Sequence, residues 1–129
     1  MEDTSIVIME KEKETGFLGK ELGSYNIGDN IEYIDRVYAS LDGDKMRIYL
    51  YLTIPGDFND SEFNAILDNY DTTIYEGNII SIEEDEENYN PGWIVKMDFI
   101  EDINSMEKAI NNILSLHKEE VNRVLIMEE

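Results

Sequence analysis

The sequence predicts an α+β fold, a mostly antiparallel sheet with two helices packed on one face, and three observations carry that prediction. Two alternating runs flank Asp42-Gly43 between Ile31 and Ile54, a capped apolar stripe follows Asn59, and a long amphipathic stretch closes the chain after Asn104. The predicted order is β-β-β-β-α-β-β-α, with hairpins early and the long helix last. A length of 129 residues suits one domain covering residues 1 to 129.

Thr4 to Met9 is short, apolar and β-branched, the signature of a buried strand. The charged run Glu10 to Glu14 ends at Gly16, and Phe17 to Tyr25, interrupted by Gly19 and Gly23, reads as a bent strand paired back onto the first. Asn26 to Asn30 reads as a loop. In the hairpin that follows, Met46, Ile48, Leu50, Leu52 and Ile54 fall on one face and Lys45, Arg47, Tyr49, Tyr51 and Thr53 on the other, before Pro55-Gly56 stops the strand. Asn59 and Glu62 have the spacing of a capping box, which starts a helix over about Asp60 to Tyr70. Thr72 to Glu83 is β-rich and reads either as one bulged strand or as two short ones. After the loop Glu83 to Gly92, Trp93 to Phe99 alternates as a strand. The final helix is expected to start near Asn104, where Asn104 and Glu107 repeat the cap spacing. The expected core is Ile6, Ile8, Val37, Ile48, Leu50, Leu52, Phe63, Ile66, Leu67, Val95, Met97, Ile110, Ile113, Leu114 and Val121.

Thirty acidic residues against ten basic ones give a formal net charge of −20, so phosphate backbones and anionic lipid repel the chain. A protein partner or a second copy is the expected companion, with no direct nucleic-acid binding and no membrane. No apolar run reaches the length of a membrane span, and the acidic start Met1-Glu2-Asp3 is the opposite of a signal-peptide n-region, so the expected location is cytoplasmic. The absence of cysteine removes disulfides, thiolate metal sites and cysteine nucleophiles.

No constellation commits the chain to catalysis, a cofactor or a metal. The single histidine, His117, sits by helical spacing at the edge of the apolar face of the last helix, where a packing role explains it. Glu83 to Glu87 could attract hard cations, but the glycine that a calcium loop needs comes only at Gly92, and a solvated loop is the simpler account. Pairs such as Asp98 and Glu101 arise by chance among thirty carboxylates. Gly16, Gly19 and Gly23 lack the spacing of a phosphate loop.

The stretches Ile6-Val-Ile-Met-Glu-Lys, Glu14-Thr-Gly-Phe-Leu and Lys20-Glu-Leu-Gly-Ser-Tyr resemble a family of small uncharacterised proteins from clostridial, spore-forming bacteria. That resemblance implies a bacterial cytosolic origin and carries no assigned activity. The function expected from the residues is a non-enzymatic protein-interaction or regulatory domain. One alternative is an acidic inhibitor or immunity-type protein masking a basic nucleic-acid-binding surface, and another is a carboxylate- and metal-dependent enzyme.

A loop centred on Asp42-Gly43 pairs Leu41 with Asp44, Tyr38 with Arg47, Arg36 with Tyr49 and Ile34 with Tyr51. It puts Val37 opposite Ile48 and Tyr33 opposite Leu52 on the core face, with Asp35 a misfit opposite Leu50. The outer face then gathers Ile34, Arg36, Tyr38, Lys45, Arg47, Tyr49 and Tyr51 as a candidate partner-contact patch, since Arg and Tyr are enriched where protein surfaces bind.

Charge self-repulsion at this density predicts that Tm rises from very low salt to about 0.1 M NaCl, where the Debye length is about 10 Å. Scanning calorimetry across that range checks it, and a falling Tm would contradict net repulsion.

Overall fold

A computed structural model describes residues 4–127, and the acidic start Met1 to Asp3 lies outside them. Along the chain run β1 (Thr4–Lys11), β2 (Leu18–Gly28), a 3-10 turn (Asn30–Tyr33), β3 (Ile34–Asp42), β4 (Lys45–Thr53) and α1 (Asp60–Asn69). A second 3-10 turn (Thr72–Tyr75), β5 (Ser81–Glu84), β6 (Gly92–Asp98) and α2 (Ile103–Met127) complete the order. The six strands form one sheet in the order β2-β1-β3-β4-β6-β5. Neighbours are antiparallel except β1 and β3, which are parallel and meet at Glu10 and Ala39. The Ser40 hydroxyl reinforces that narrow junction by donating to the Lys11 carbonyl at 3.3 Å.

β4 is flanked on both sides, by β3 and β6, and its period-two pattern sends Ile48, Leu50 and Leu52 to one face. There they join Ile6, Ile8, Tyr25, Ile27, Trp93, Val95 and Met97 from the other strands. Ile66 of α1 and Met106, Ile110, Ile113, Leu114, Val121 and Val124 of α2 cover this face, so both helices lie on the same side of the sheet. The expected capping box forms: Asn59 Oδ1 accepts from the Glu62 amide at 2.8 Å, and Glu62 Oε1 accepts from the Asn59 amide at 2.9 Å. Also on the helix side, α2 covers part of the β2 edge. The Asn26 amide donates to Glu107 Oε1 at 2.6 Å, and Asn111 Nδ2 donates to the Asn26 carbonyl at 2.9 Å, which blunts an open strand edge.

Several expectations are corrected. The hairpin loop is Gly43-Asp44, not Asp42-Gly43: Asp42 pairs with Lys45, Leu41 with Met46, Tyr38 with Tyr49, Val37 with Leu50 and Arg36 with Tyr51. Gly43 has φ +68° and among the described residues only glycines take positive φ, the pattern of a glycine-first type II′ loop rather than type I′. Each strand slides by one residue in the same sense, so the faces are unchanged. A bulge between Ile34 and Arg36 pushes Asp35 out to solvent, and Ile34, opposite Leu52, turns to the core side.

β2 extends through Asn26 to Gly28, where a loop is expected, and Ile31 to Tyr33 belong to a 3-10 turn. Between α1 and β6 the chain makes another 3-10 turn and only four residues of strand, because the Asp71 side chain accepts from the Thr73 amide and winds the backbone up. α2 starts at Ile103, with Asp102 Oδ2 accepting from the Ser105 amide at 2.9 Å; Glu107, expected in the cap, is occupied by Asn26. Val37 and Leu67 are half-buried against the core, and Phe63 is half-buried outside it.

Leu50 is fully buried at the middle of the central strand. Leu50→Ala is expected to cost about 2 to 5 kcal/mol, through lost burial plus the cavity left behind. Urea unfolding measures this, and a loss below about 1 kcal/mol would place the core elsewhere.

Candidate functional site

The sheet face away from the helices carries the candidate site, and β3 and β4 supply its centre. Their outward residues meet across the ladder as the pairs Ser40–Arg47, Tyr38–Tyr49 and Arg36–Tyr51. Tyr38 and Tyr49 are stacked at 5.2 Å and 17°, and the Tyr38 and Tyr51 hydroxyls lie 3.3 Å apart. Tyr51 is buried although it belongs to the outward set, because Arg36 and Tyr38 cover it. Burial, then the hydrogen bond with Tyr51, raises the Tyr38 phenol well above its ordinary pKa, so Tyr38 stays protonated at neutral pH.

Each ring of the ladder has a cation over it. Arg36 lies 4.2 Å from the Tyr51 centroid, Lys11 lies 4.8 Å from that of Tyr38, and Lys96 lies 5.9 Å from that of Tyr49. Arg47 is held by Asp98 and, at 3.7 Å, by Asp42, which also bonds Lys96 at 2.6 Å. The Lys96 ammonium accordingly lowers the Asp42 pKa, and Asp42 raises that of Lys96. Arg36 and Lys11 form no ion pair among the described residues.

Six of the seven residues expected on this face keep outward positions: Arg36, Tyr38, Arg47, Tyr49 and Tyr51 cluster, while Lys45 lies exposed beside the hairpin loop. Ile34 leaves the patch because of the bulge. The sequence reading missed Lys11 and Lys96, although alternation signals both: Lys96 sits between core-facing Val95 and Met97, and Lys11 ends the strand that buries Ile6 and Ile8.

Beside the ladder lies an open groove of about 620 Å³ lined by Arg36, Tyr51, Ile94 and the Glu83–Glu87 run. The loop forming its wall is anchored. Asn88 Nδ2 donates to the Thr53 hydroxyl at 3.0 Å, and Asn90 Nδ2 donates to the Ile54 and Gly56 carbonyls at 2.7 and 3.0 Å. Asp85 is buried, its carboxylate accepting from the Glu87 amide at 3.2 Å, whereas Glu83, Glu84, Glu86 and Glu87 are exposed. Gly92 closes the loop tightly, since a Cβ there would sit 2.6 Å from the Asn88 amide nitrogen and 3.0 Å from the Leu52 carbonyl. Among the described residues, no three acidic or histidine side chains are grouped to hold a metal ion.

His117 lies in the core rather than at its edge. Its Nε2 is 2.8 Å from the Thr53 carbonyl, which can only accept, so Nε2 carries the proton and Nδ1 accepts from the Tyr70 hydroxyl at 2.8 Å. Tyr75 in turn bonds Tyr70, and Tyr70 stacks on Trp93 at 3.9 Å. Both imidazole nitrogens are thus occupied inside the protein. Burial lowers the His117 pKa to about 4.

That shift sets a pH dependence. The unfolded histidine titrates near pH 6.5 and the folded one near 4, so from about 6.5 downward only the unfolded chain gains the proton. The contribution is complete above about pH 6.5 and lost as pH falls, reaching about 3 kcal/mol by pH 4. His117→Gln removes it. Urea titrations of both proteins between pH 7 and 4.5 are expected to show a steeper decline in the parent, and equal slopes would contradict a buried neutral histidine.

A family model described as a family of unknown function (DUF6762) matches residues 1–128. No curated protein and no solved structure matches the chain.

Proposed function

We propose that this chain, which belongs to the DUF6762 family of unknown function, is a non-enzymatic protein-interaction module whose contact surface is the helix-free face of its sheet. One observation carries the reading. A six-stranded sheet has one face sealed by α1 and α2, while the other presents the cluster of Arg36, Tyr38, Arg47, Tyr49 and Tyr51 with no helix over it among the described residues. Tyrosine and arginine are the residue types that concentrate binding energy at protein interfaces. The bland counterpart is a solvated face on which tyrosines and cations stack for modest stability. It accounts for the stacking but not for the anchored groove beside it. Imitation of nucleic acid has less support, because carboxylates occur on both helices, in the loops and at the hairpin rather than along one face.

Site-specific photo-cross-linking in the cells that make the protein tests the proposal. A benzophenone residue at Tyr49 is expected to trap a defined partner, one at exposed Asn112 on α2 is not, and Arg36→Glu abolishes the Tyr49 adduct. Adducts formed equally well from both positions, or from Asn112 alone, would move the contact surface away from the sheet.

A further inference from the structure

We infer that the occupant of this face is an extended, lysine- or arginine-bearing segment of a partner protein, lying in the groove between the tyrosine ladder and the acidic Glu83–Glu87 run. This deepens the interaction-module reading and rests on it. Charge complementarity is the first argument. The groove's wall offers the exposed carboxylates of Glu83, Glu86 and Glu87, none of them ion-paired among the described residues. The one cation lining the groove, Arg36, lies over the Tyr51 ring. A concave surface of predominantly negative charge concentrates cations from solution.

Preorganisation is the second argument. Asn88 and Asn90 fix the acidic wall to the end of β4, so little loop ordering remains to be done on binding. The glutamates of this wall repel a second copy of this acidic chain and favour a basic segment.

The test is an NMR titration of the full chain at about 0.1 M NaCl, where the Debye length is about 10 Å. The probe is a synthetic peptide of alternating Lys and Thr, with its Glu–Thr counterpart as control. The expected result is saturable binding of the basic peptide only, with shifts confined to Arg36, Tyr51, Glu83–Glu87 and Ile94. The double variant Glu86→Lys with Glu87→Lys weakens it about tenfold or more, while the same charge change on the helical side, Asp68→Lys with Glu119→Lys, weakens it less than about threefold. All four side chains are exposed, so folding is retained, and amide spectra of each variant verify it. Equal weakening by the two variants, shifts spread over the helices, or self-association through this face overturns the inference. An unbound basic peptide overturns it as well, and leaves the interaction-module reading to stand or fall on the cross-linking result at Tyr49.

Discussion

The alternation of β4 is the constraint on which the rest of the molecule depends. As a strand bonded on both sides, it must present every second residue to each face, and its sequence separates Ile48, Leu50 and Leu52 from Arg47, Tyr49 and Tyr51 without exception. The first set fixes where α1 and α2 can pack, because only that face offers apolar surface to bury. The second is excluded from the core by the same geometry and assembles the tyrosine ladder. Core and candidate site are therefore two readings of one strand, and a one-residue slip against β3 alone would exchange the partners of both.

The helices are held against this sheet by polar pins as well as by apolar contact. His117 ties α2 to the end of β4 through the Thr53 carbonyl and to the end of α1 through Tyr70. Glu120, also buried, accepts from the Asp71 amide at 2.6 Å and from Arg123, whose guanidinium holds its carboxyl below the ordinary pKa. Arg123 in turn donates to the Asn69 carbonyl at 2.6 Å. These bonds satisfy backbone groups at and just beyond the C-terminal end of α1 and tie the short helix to the long one.

What was legible in the sequence follows from which signals are local. Periodicity in β4, β6 and α2 and the Asn59–Glu62 cap are properties of a few consecutive residues, and each gave the right element. The hairpin shows how a local signal can fail without harm. Asp42-Gly43 favours one loop type, but Asp42 is drawn into the ladder opposite Lys45, where its carboxylate reaches Lys96 and Arg47, and Gly43 takes the first loop position instead. Sliding both strands by one residue changes every pair and leaves both faces intact, so the patch was identified through an incorrect register. Ile34 was misplaced because a bulge inverts parity and carries no signature as strong as a turn. The parallel contact of β1 with β3 and the meeting of the acidic loop with Arg36 depend on strand order, which no window of sequence contains.

The placement of the cations makes the last link from sequence to surface. A chain of net charge −20 repels most of what is negative and repels itself, so an acidic surface approaches it most cheaply where its positive groups gather and a basic one along its acidic margins. Lys11, Arg36, Arg47 and Lys96 all stand on or beside the outer face of the sheet. Two of the four are neutralised there, Arg47 by Asp42 and Asp98 and Lys96 by Asp42, which leaves Lys11 and Arg36 as uncompensated positive charge over the tyrosines. The Glu83–Glu87 wall then borders this centre on one side only. A partner meeting the face therefore meets positive charge at Lys11 and Arg36 over the tyrosines and strong negative charge at one margin, an asymmetry that fixes the direction in which a charged segment can lie.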